Sequence, residues 1–281
     1  MLIPRRKVVI TGAAGGMGRA CARVFGATHD LVLADVAAPA LERFAAELTG
    51  EGYSVAGIHA GDLAEEALLS ALTAELTQTP FTLIHTAGLS PAMADWKAIM
   101  QVNLIATEKL LRAIEPRLVP GSVAILIAST AGHMPADIPG ADALLKAPLE
   151  PSFLESIGAL IENVAASGGA PAGTPGLGYV LSKRAVIALA ERKAMEWGAQ
   201  GARILTISPG LILTPMGRKE LAETPGAAEL DAAVPVGRSG TAMDIALAAQ
   251  FLASDAASFI TGSDVKVDGG STAVVKMMMG L

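Results

Sequence analysis

The 281-residue chain is 52% hydrophobic and 17% charged, with a formal net charge of −6. That composition suits a sizeable core and gives no electrostatic footing for nucleic acid or an anionic membrane surface, since Arg5-Arg6-Lys7 is the only basic cluster. No stretch reaches the ~18 consecutive apolar residues of a membrane span, and no small-residue cleavage site follows an N-terminal apolar core, so a cytoplasmic protein is expected. The single cysteine, Cys21, excludes an internal disulfide or a cysteine metal cluster and reads as a small buried hydrophobe; no metal is expected.

Short β-rich runs alternate with helical patterns along the chain. Strands are expected at 7–11, 31–34, 53–58, 81–85, 123–128 and 203–207. Helices are expected at 16–27, around Leu41–Leu48, and at 63–76, 93–118, 179–197 and 243–252, with mixed strand and turn signals at 259–267. This alternation predicts an α/β, doubly wound Rossmann fold in a single domain, with a mainly parallel sheet and helices on both faces. Residues 133–178 interrupt the rhythm with six prolines and seven glycines. Within them Phe153, Ile157, Leu160, Ile161 and Val164 recur at helical spacing behind Pro151, so a helical insertion is expected there rather than an interdomain linker.

The first strand runs into Thr11-Gly12-Ala13-Ala14-Gly15-Gly16-Met17-Gly18, and a helix follows. Glycines allow a tight turn and close backbone approach to a pyrophosphate, which the amides and partial positive charge of a helix N-terminus favour. Following the first strand of an α/β chain, the loop points to a dinucleotide. Asp35 closes the second strand, placed to accept hydrogen bonds from ribose hydroxyls and to repel a 2′-phosphate. With no Arg or Lys between Lys7 and Gly18, NAD is expected over NADP. Asp62, in Gly61-Asp62-Leu63, reads equally as an adenine contact or a helix cap.

Together these residues resemble the short-chain dehydrogenase/reductase family over nearly the whole chain. Thr11–Gly18 resembles its cofactor loop, and His85-Thr86-Ala87-Gly88 its N-N-A-G segment, imperfectly. Asn103 stands at the helix asparagine, Ser129 at the end of the fifth strand, and Tyr179-x-x-x-Lys183 at the active-site pair. Pro209, Gly210, Ile212 and Thr214 match the loop that embraces the nicotinamide, and Asp268-Gly269-Gly270 a C-terminal turn. The resemblance implies cofactor contacts at Gly12, Gly15, Gly16, Met17, Gly18, Asp35, Asp62, Leu63, Ala87, Gly88, Tyr179, Lys183, Pro209, Gly210, Ile212 and Thr214. His85 is expected to be a structural replacement.

A tyrosine and a lysine four residues apart share one helix face. A free phenol has a pKa near 10, and a neighbouring cation lowers it toward a useful base. Tyr179 is thus the expected base and Lys183 its cationic partner. The resemblance adds a ribose bond for Lys183, a substrate-oxygen contact for Ser129 and a water-held relay at Asn103. Each has a plainer alternative: Ser129 as a cap, Asn103 as a partner for buried backbone, Tyr179 and Lys183 as a surface pair.

The resemblance implies that the loop and helix after Thr214, through about Val236, with Pro215, Met216, Leu221 and Leu230, close over the substrate; His133 is expected to be a loop residue or a substrate contact. The insertion resembles that of bacterial hydroxysteroid dehydrogenase/carbonyl reductases, which implies a bulky apolar alcohol or ketone such as a steroid or terpenoid. It also implies an altered assembly, a homodimer or homotetramer. The expected activity is NAD-dependent interconversion of a secondary alcohol and a ketone. The alternatives are an NADPH-dependent 3-oxoacyl-thioester reductase, a sugar-nucleotide epimerase and a non-catalytic dinucleotide-binding module.

Overall fold

The computed structural model describes residues 5–134, 138–170, 172–224 and 226–280. Residues 135–137 and 171 of the expected insertion, and 225 of the expected lid, lie outside the described residues.

Seven strands form one all-parallel sheet among the described residues, in the order β3-β2-β1-β4-β5-β6-β7. They are β1 (Arg6–Thr11), β2 (His29–Asp35), β3 (Val55–Ala60), β4 (Phe81–His85), β5 (Val123–Ile127), β6 (Arg203–Pro209) and β7 (Asp264–Val267). The central strands are apolar on both faces, as a sheet covered on both sides requires. Val8 and Ile10 of β1 face the layer of α1 (Gly16–Gly26), α2 (Ala38–Gly50) and α11 (Ala242–Ala253), packing with Phe25, Phe44 and Leu252. Val9 points to the opposite layer of α3 (Glu66–Ala74), α5 (Ala106–Ile114) and α8 (Gly173–Gly198), with Leu72, Leu110 and Trp197. Cys21 is buried in the first layer, and burial pushes its thiol up to about 12, so it is the inert hydrophobe expected.

Three elements depart from the sequence pattern. The expected 93–118 helix is α4 (Trp96–Met100), capped by Asp95, whose side chain accepts from the Ala98 amide. It passes through a π-helical turn at Gln101–Ile105 into α5 and ends in a 3₁₀ turn at Glu115–Arg117. Periodicity cannot show a single widened turn, because one inserted residue shifts the apolar stripe only slightly. The Tyr/Lys helix starts at Gly173, earlier than Tyr179, because Pro175 falls in its first turn, where proline is tolerated. The C-terminal methionines lie on α12 (Ser271–Met278) and beyond it, with Met277, Met278 and Met279 exposed.

Between β5 and α8 lie α6 (Ala141–Leu145) and α7 (Phe153–Ala166). They build a third core with α4 and α8: Phe153, Ile157 and Ile161 pack with Met100, Leu104, Leu177 and Leu181. Trp96 locks this core. A Cβ at Gly158 of α7 would lie 2.5 Å from its ring, and one at Gly178 of α8 would lie 2.8 Å from its own Cβ. Neither position admits a side chain without displacing the indole. The remaining helices, α9 (Pro215–Glu223) and α10 (Ala227–Ala232), follow β6.

Candidate active site

In a parallel sheet of this topology, ligands bind beyond the carboxyl ends of the strands, where the strand order reverses. Here that point is the gap between β1 and β4. The glycine loop fills it. Gly12 has φ +67°, and a Cβ there would lie 2.6 Å from the Ala87 amide nitrogen. The loop therefore rests against the backbone of Ala87-Gly88, which only glycine permits. The α1 N-terminus, with Gly15 as N-cap, has no side-chain cap, so the first-turn amides around Gly16, Met17 and Gly18 face outward for an anion. Both features fit a bound pyrophosphate.

Asp35 stands where the sequence places it, at the end of β2. Its Oδ2 accepts from the Ala14 amide at 3.0 Å and its Oδ1 from the Ala37 amide at 3.0 Å. The carboxylate thus pins the glycine loop. Asp62 accepts from the Ala64 amide at 2.8 Å, a local turn that leads into α3, and Leu63 is buried beside it. On the far side, Pro209 ends β6, and the Gly210 amide donates to the Val267 carbonyl. Ile212 is buried against the core, and Thr214 caps α9 by accepting from the Gly217 amide at 3.2 Å.

Asn103 lies in the π-helical turn, a local geometry that recurs at functional sites. Its side chain is fully engaged: Oδ1 accepts from the Leu89 amide at 2.8 Å, and Nδ2 donates to the Leu89 carbonyl at 3.0 Å and to Ser182 Oγ at 3.2 Å. The loop after β4 is clamped to the helix by this amide. The Asn103 backbone carbonyl accepts from Thr107 Oγ1 at 2.8 Å.

His85 continues that chain. Its Nε2 lies 2.8 Å from Thr107 Oγ1 and its Nδ1 2.7 Å from Thr11 Oγ1. Thr107 spends its proton on Asn103, so it accepts from Nε2–H, and Thr11 donates to Nδ1. The ring is neutral: burial, and then the Lys183 charge, push His85 down to about 3. Its role is structural, joining β1, β4 and α5 behind the site.

Ser129 ends β5 and caps a short 3₁₀ turn, its Oγ accepting from the Ala131 amide at 3.1 Å. The same side chain acts on the Tyr179 phenol and tends to lower its pKa. Burial acts more strongly in the other direction and pushes Tyr179 up to about 12, with the Glu220 charge adding to the rise. Lys183, 6% exposed, lies with its Nζ 5.8 Å from the Tyr179 ring centroid and donates to the Ile127 carbonyl at 2.9 Å. Burial lowers it to about 8, so it stays mostly protonated at neutral pH. The sequence pattern predicts a phenol lowered by lysine. Here burial acts to raise the phenol, and the ammonium donates to the Ile127 carbonyl. A Cβ at Gly88 would lie 3.3 Å from Asn103 Oδ1 and 3.4 Å from Lys183 Nζ, so the β4 loop passes close to both.

Four residues expected from sequence thus gather around one crevice: Asn103, Ser129, Tyr179 and Lys183. His133 does not join them; its Nε2 lies 2.8 Å from Asp264 Oδ2 and 3.3 Å from Ser208 Oγ, which ties the loop to β7. Of the expected lid, Met216, Leu221 and Leu230 are half-buried and Pro215 is exposed. Sequence reasoning missed three residues. Thr107 and Trp96 give no local signal. Glu220 does give one, since it falls on the apolar 216/217/220/221 face of α9.

The comparisons with known proteins agree with this architecture. Residues 6–140 match the short chain dehydrogenase model, and residues 152–272 match the model described as enoyl-(acyl carrier protein) reductase. The chain is 31% identical over 279 residues to D-threitol dehydrogenase of Mycolicibacterium smegmatis, covering 94% of this chain and 92% of that one. It is 32% identical over 275 residues to galactitol 2-dehydrogenase (L-tagatose-forming) of Cereibacter sphaeroides, covering 94% and 93%. Among solved structures, the 3-alpha-hydroxysteroid dehydrogenase from Pseudomonas sp. B-0831 complexed with NADH superposes with a TM-score of 0.75 at 24% identity, covering 96% of this chain and 98% of that one. A parallel sheet reversing at a glycine loop, two matching family models and relatives above 30% identity across nearly the full length lead to one conclusion: the chain belongs to the short-chain dehydrogenase/reductase family, whose members are oxidoreductases that bind a nicotinamide dinucleotide.

Proposed function

We propose that the protein interconverts a secondary alcohol and a ketone with NAD, using Tyr179 as base, Lys183 as its cationic partner and Ser129 as the contact for the substrate oxygen. The observation that carries this reading is the Lys183 ammonium 5.8 Å from the Tyr179 ring centroid, with Ser129 near enough to act on the same phenol. A bound nicotinamide supplies the hydride acceptor. Gly12, Gly15, Gly16, Met17 and Gly18 would cradle the pyrophosphate, Asp35 the ribose, and Ala87, Gly88, Pro209, Gly210, Ile212 and Thr214 the nicotinamide half. Asp62 and Leu63 are assigned the adenine side.

Ser129 orients the alcohol so that its proton faces Tyr179. The Lys183 ammonium offsets the phenolate charge that burial disfavours. Asn103 holds the β4 loop against α8 and offers its backbone carbonyl to the proton path. The preference for NAD rests on Asp35, whose carboxylate repels a 2′-phosphate. The intact set of four residues supports catalysis over a non-catalytic binding role.

Two substrate classes remain in play. The steroid or terpenoid expectation rested on an apolar insertion at the site's rim, but Phe153, Ile157 and Ile161 of α7 are spent in the third core. The polyol substrates named for the two relatives favour a hydroxylated substrate, and that is the class we assign. A homodimer or homotetramer is supported by the exposed Met243, Leu247 and Phe251 of α11 and by Phe259, and a cytoplasmic location by the composition. The testing experiment is a screen of polyols, steroids, terpenoids and 3-oxoacyl thioesters with NAD(H) and NADP(H), read by nicotinamide absorbance. Turnover of polyols with NAD is expected; turnover confined to thioesters with NADPH overturns the reading.

A further inference from the structure

The lid helix α9 bridges the mouth of the crevice. At one end a Cβ on Gly16 of the glycine loop would lie 2.6 Å from Thr214 Cγ2, so the helix cap rests on that loop. At the other end, Lys219 Nζ donates to the Ala92 carbonyl at 2.5 Å, on the loop after β4. Along α9, Met216, Gly217, Glu220 and Leu221 are withdrawn from solvent, while Arg218, Lys219 and Glu223 are exposed. Spacings of three and four put the withdrawn residues on one face. The face turned inward is therefore apolar except for one carboxylate.

That carboxylate has no hydrogen bond or ion pair among the described residues. Its neighbour Lys219 is committed to Ala92 and, at 4.0 Å, to Glu223. Glu220 is half-buried on this face; its charge raises the Tyr179 phenol, and partial burial raises its own pKa. A half-buried acid with no protein partner gains from a donor delivered by a ligand.

We propose that Glu220 is the specificity residue that selects substrates carrying a second hydroxyl beside the reacting carbon, by accepting a hydrogen bond from it. The inference rests on the alcohol dehydrogenase reading above and narrows it. A neutral hydroxyl suits the place better than a cationic amino group, which would face the buried Lys183 ammonium. A hydroxyl donating to a carboxylate is one of the stronger neutral–ion hydrogen bonds, and its loss leaves buried charge unpaired. Discrimination by such a contact exceeds what a methylene provides.

The test compares matched pairs, cyclohexanol with 1,2-cyclohexanediol and 2-butanol with 2,3-butanediol, in the wild type, Glu220→Gln and Glu220→Leu, with melting temperatures measured alongside. The ratio of kcat/KM for diol over mono-alcohol is expected to fall about 10- to 100-fold in Glu220→Leu, mainly through KM for the diol, and by less in Glu220→Gln, which keeps one acceptor. A ratio that stays within about twofold of the wild type in both variants overturns the assignment, as does a wild type that oxidises the mono-alcohols but not the diols. A wild type that oxidises neither member of any pair with either cofactor overturns the dehydrogenase reading itself.

Discussion

The two sides of the crevice are built differently. On the glycine-loop side, backbone is pinned in place: Gly12 presses on the Ala87 backbone, the Asp35 carboxylate holds the Ala14 amide, and the Asn103 side chain clamps the Leu89 peptide. On the substrate side, α9 is held by a cap at Thr214 and one lysine contact to Ala92, and it presents an unpartnered acid. Close backbone contact tolerates almost no substitution, whereas a lid tethered by side chains can change its inward face without cost to the fold.

The largest effect comes from breaking the rigid side. Gly12→Val adds a Cβ to a left-handed residue already pressed on Ala87. Dinucleotide binding is expected to fall by more than about 100-fold, with a loss of about 3 kcal/mol or more in stability, measured by titration calorimetry and thermal melting. A protein that still binds NAD normally would show that the loop is not pre-formed by that contact.

Acid stability sharpens the comparison from behind the same side. His85 is neutral in the fold and pushed down to about 3, against an ordinary value near 6.5. The unfolded chain therefore takes up a proton between those values that the folded chain refuses. Stability is present above pH ~6.5 and falls as pH drops toward ~3, by up to about 4–5 kcal/mol. His85→Asn is expected to be less stable at pH 7 but to lose that pH dependence, read by urea melts across the range. An unchanged slope would mean that His85 titrates normally.

Asp35→Ala is expected to shift the NAD-to-NADP ratio of kcat/KM by about 10- to 100-fold toward NADP, because repulsion of the 2′-phosphate and the ribose bond are lost together. A ratio moving less than about twofold would place selectivity elsewhere. The smallest effect belongs to the lid. Lys219→Ala removes one contact at an exposed side chain, so stability should change by less than about 1 kcal/mol, while KM for substrate rises a few-fold.

The same division explains what was legible in the sequence. The glycine loop, Asp35 and the Tyr179–Lys183 pair depend on special backbone or fixed spacing, and both leave marks in the chain. Most helix and strand positions followed from periodicity; the π-turn at Gln101–Ile105, the early start of α8 at Gly173 and the terminal helix α12 did not. Contacts made only through folding left no mark. Trp96 wedged between Gly158 and Gly178, and Thr107 handing the His85 bond on to Asn103, join residues distant in sequence. The apolar α7 face was visible, but its destination was not. An amphipathic helix states that it buries a face, not which neighbour covers it, and here the neighbours are α4 and α8 rather than the substrate.

The central claim is that Tyr179 exchanges the substrate proton. It is tested most directly by Tyr179→Phe, assayed for turnover on the best substrate and for NAD binding by fluorescence titration. Turnover should fall about 10²- to 10⁴-fold, while the Kd for NAD stays within about threefold. Turnover near that of the wild type, with NAD binding intact, would contradict it.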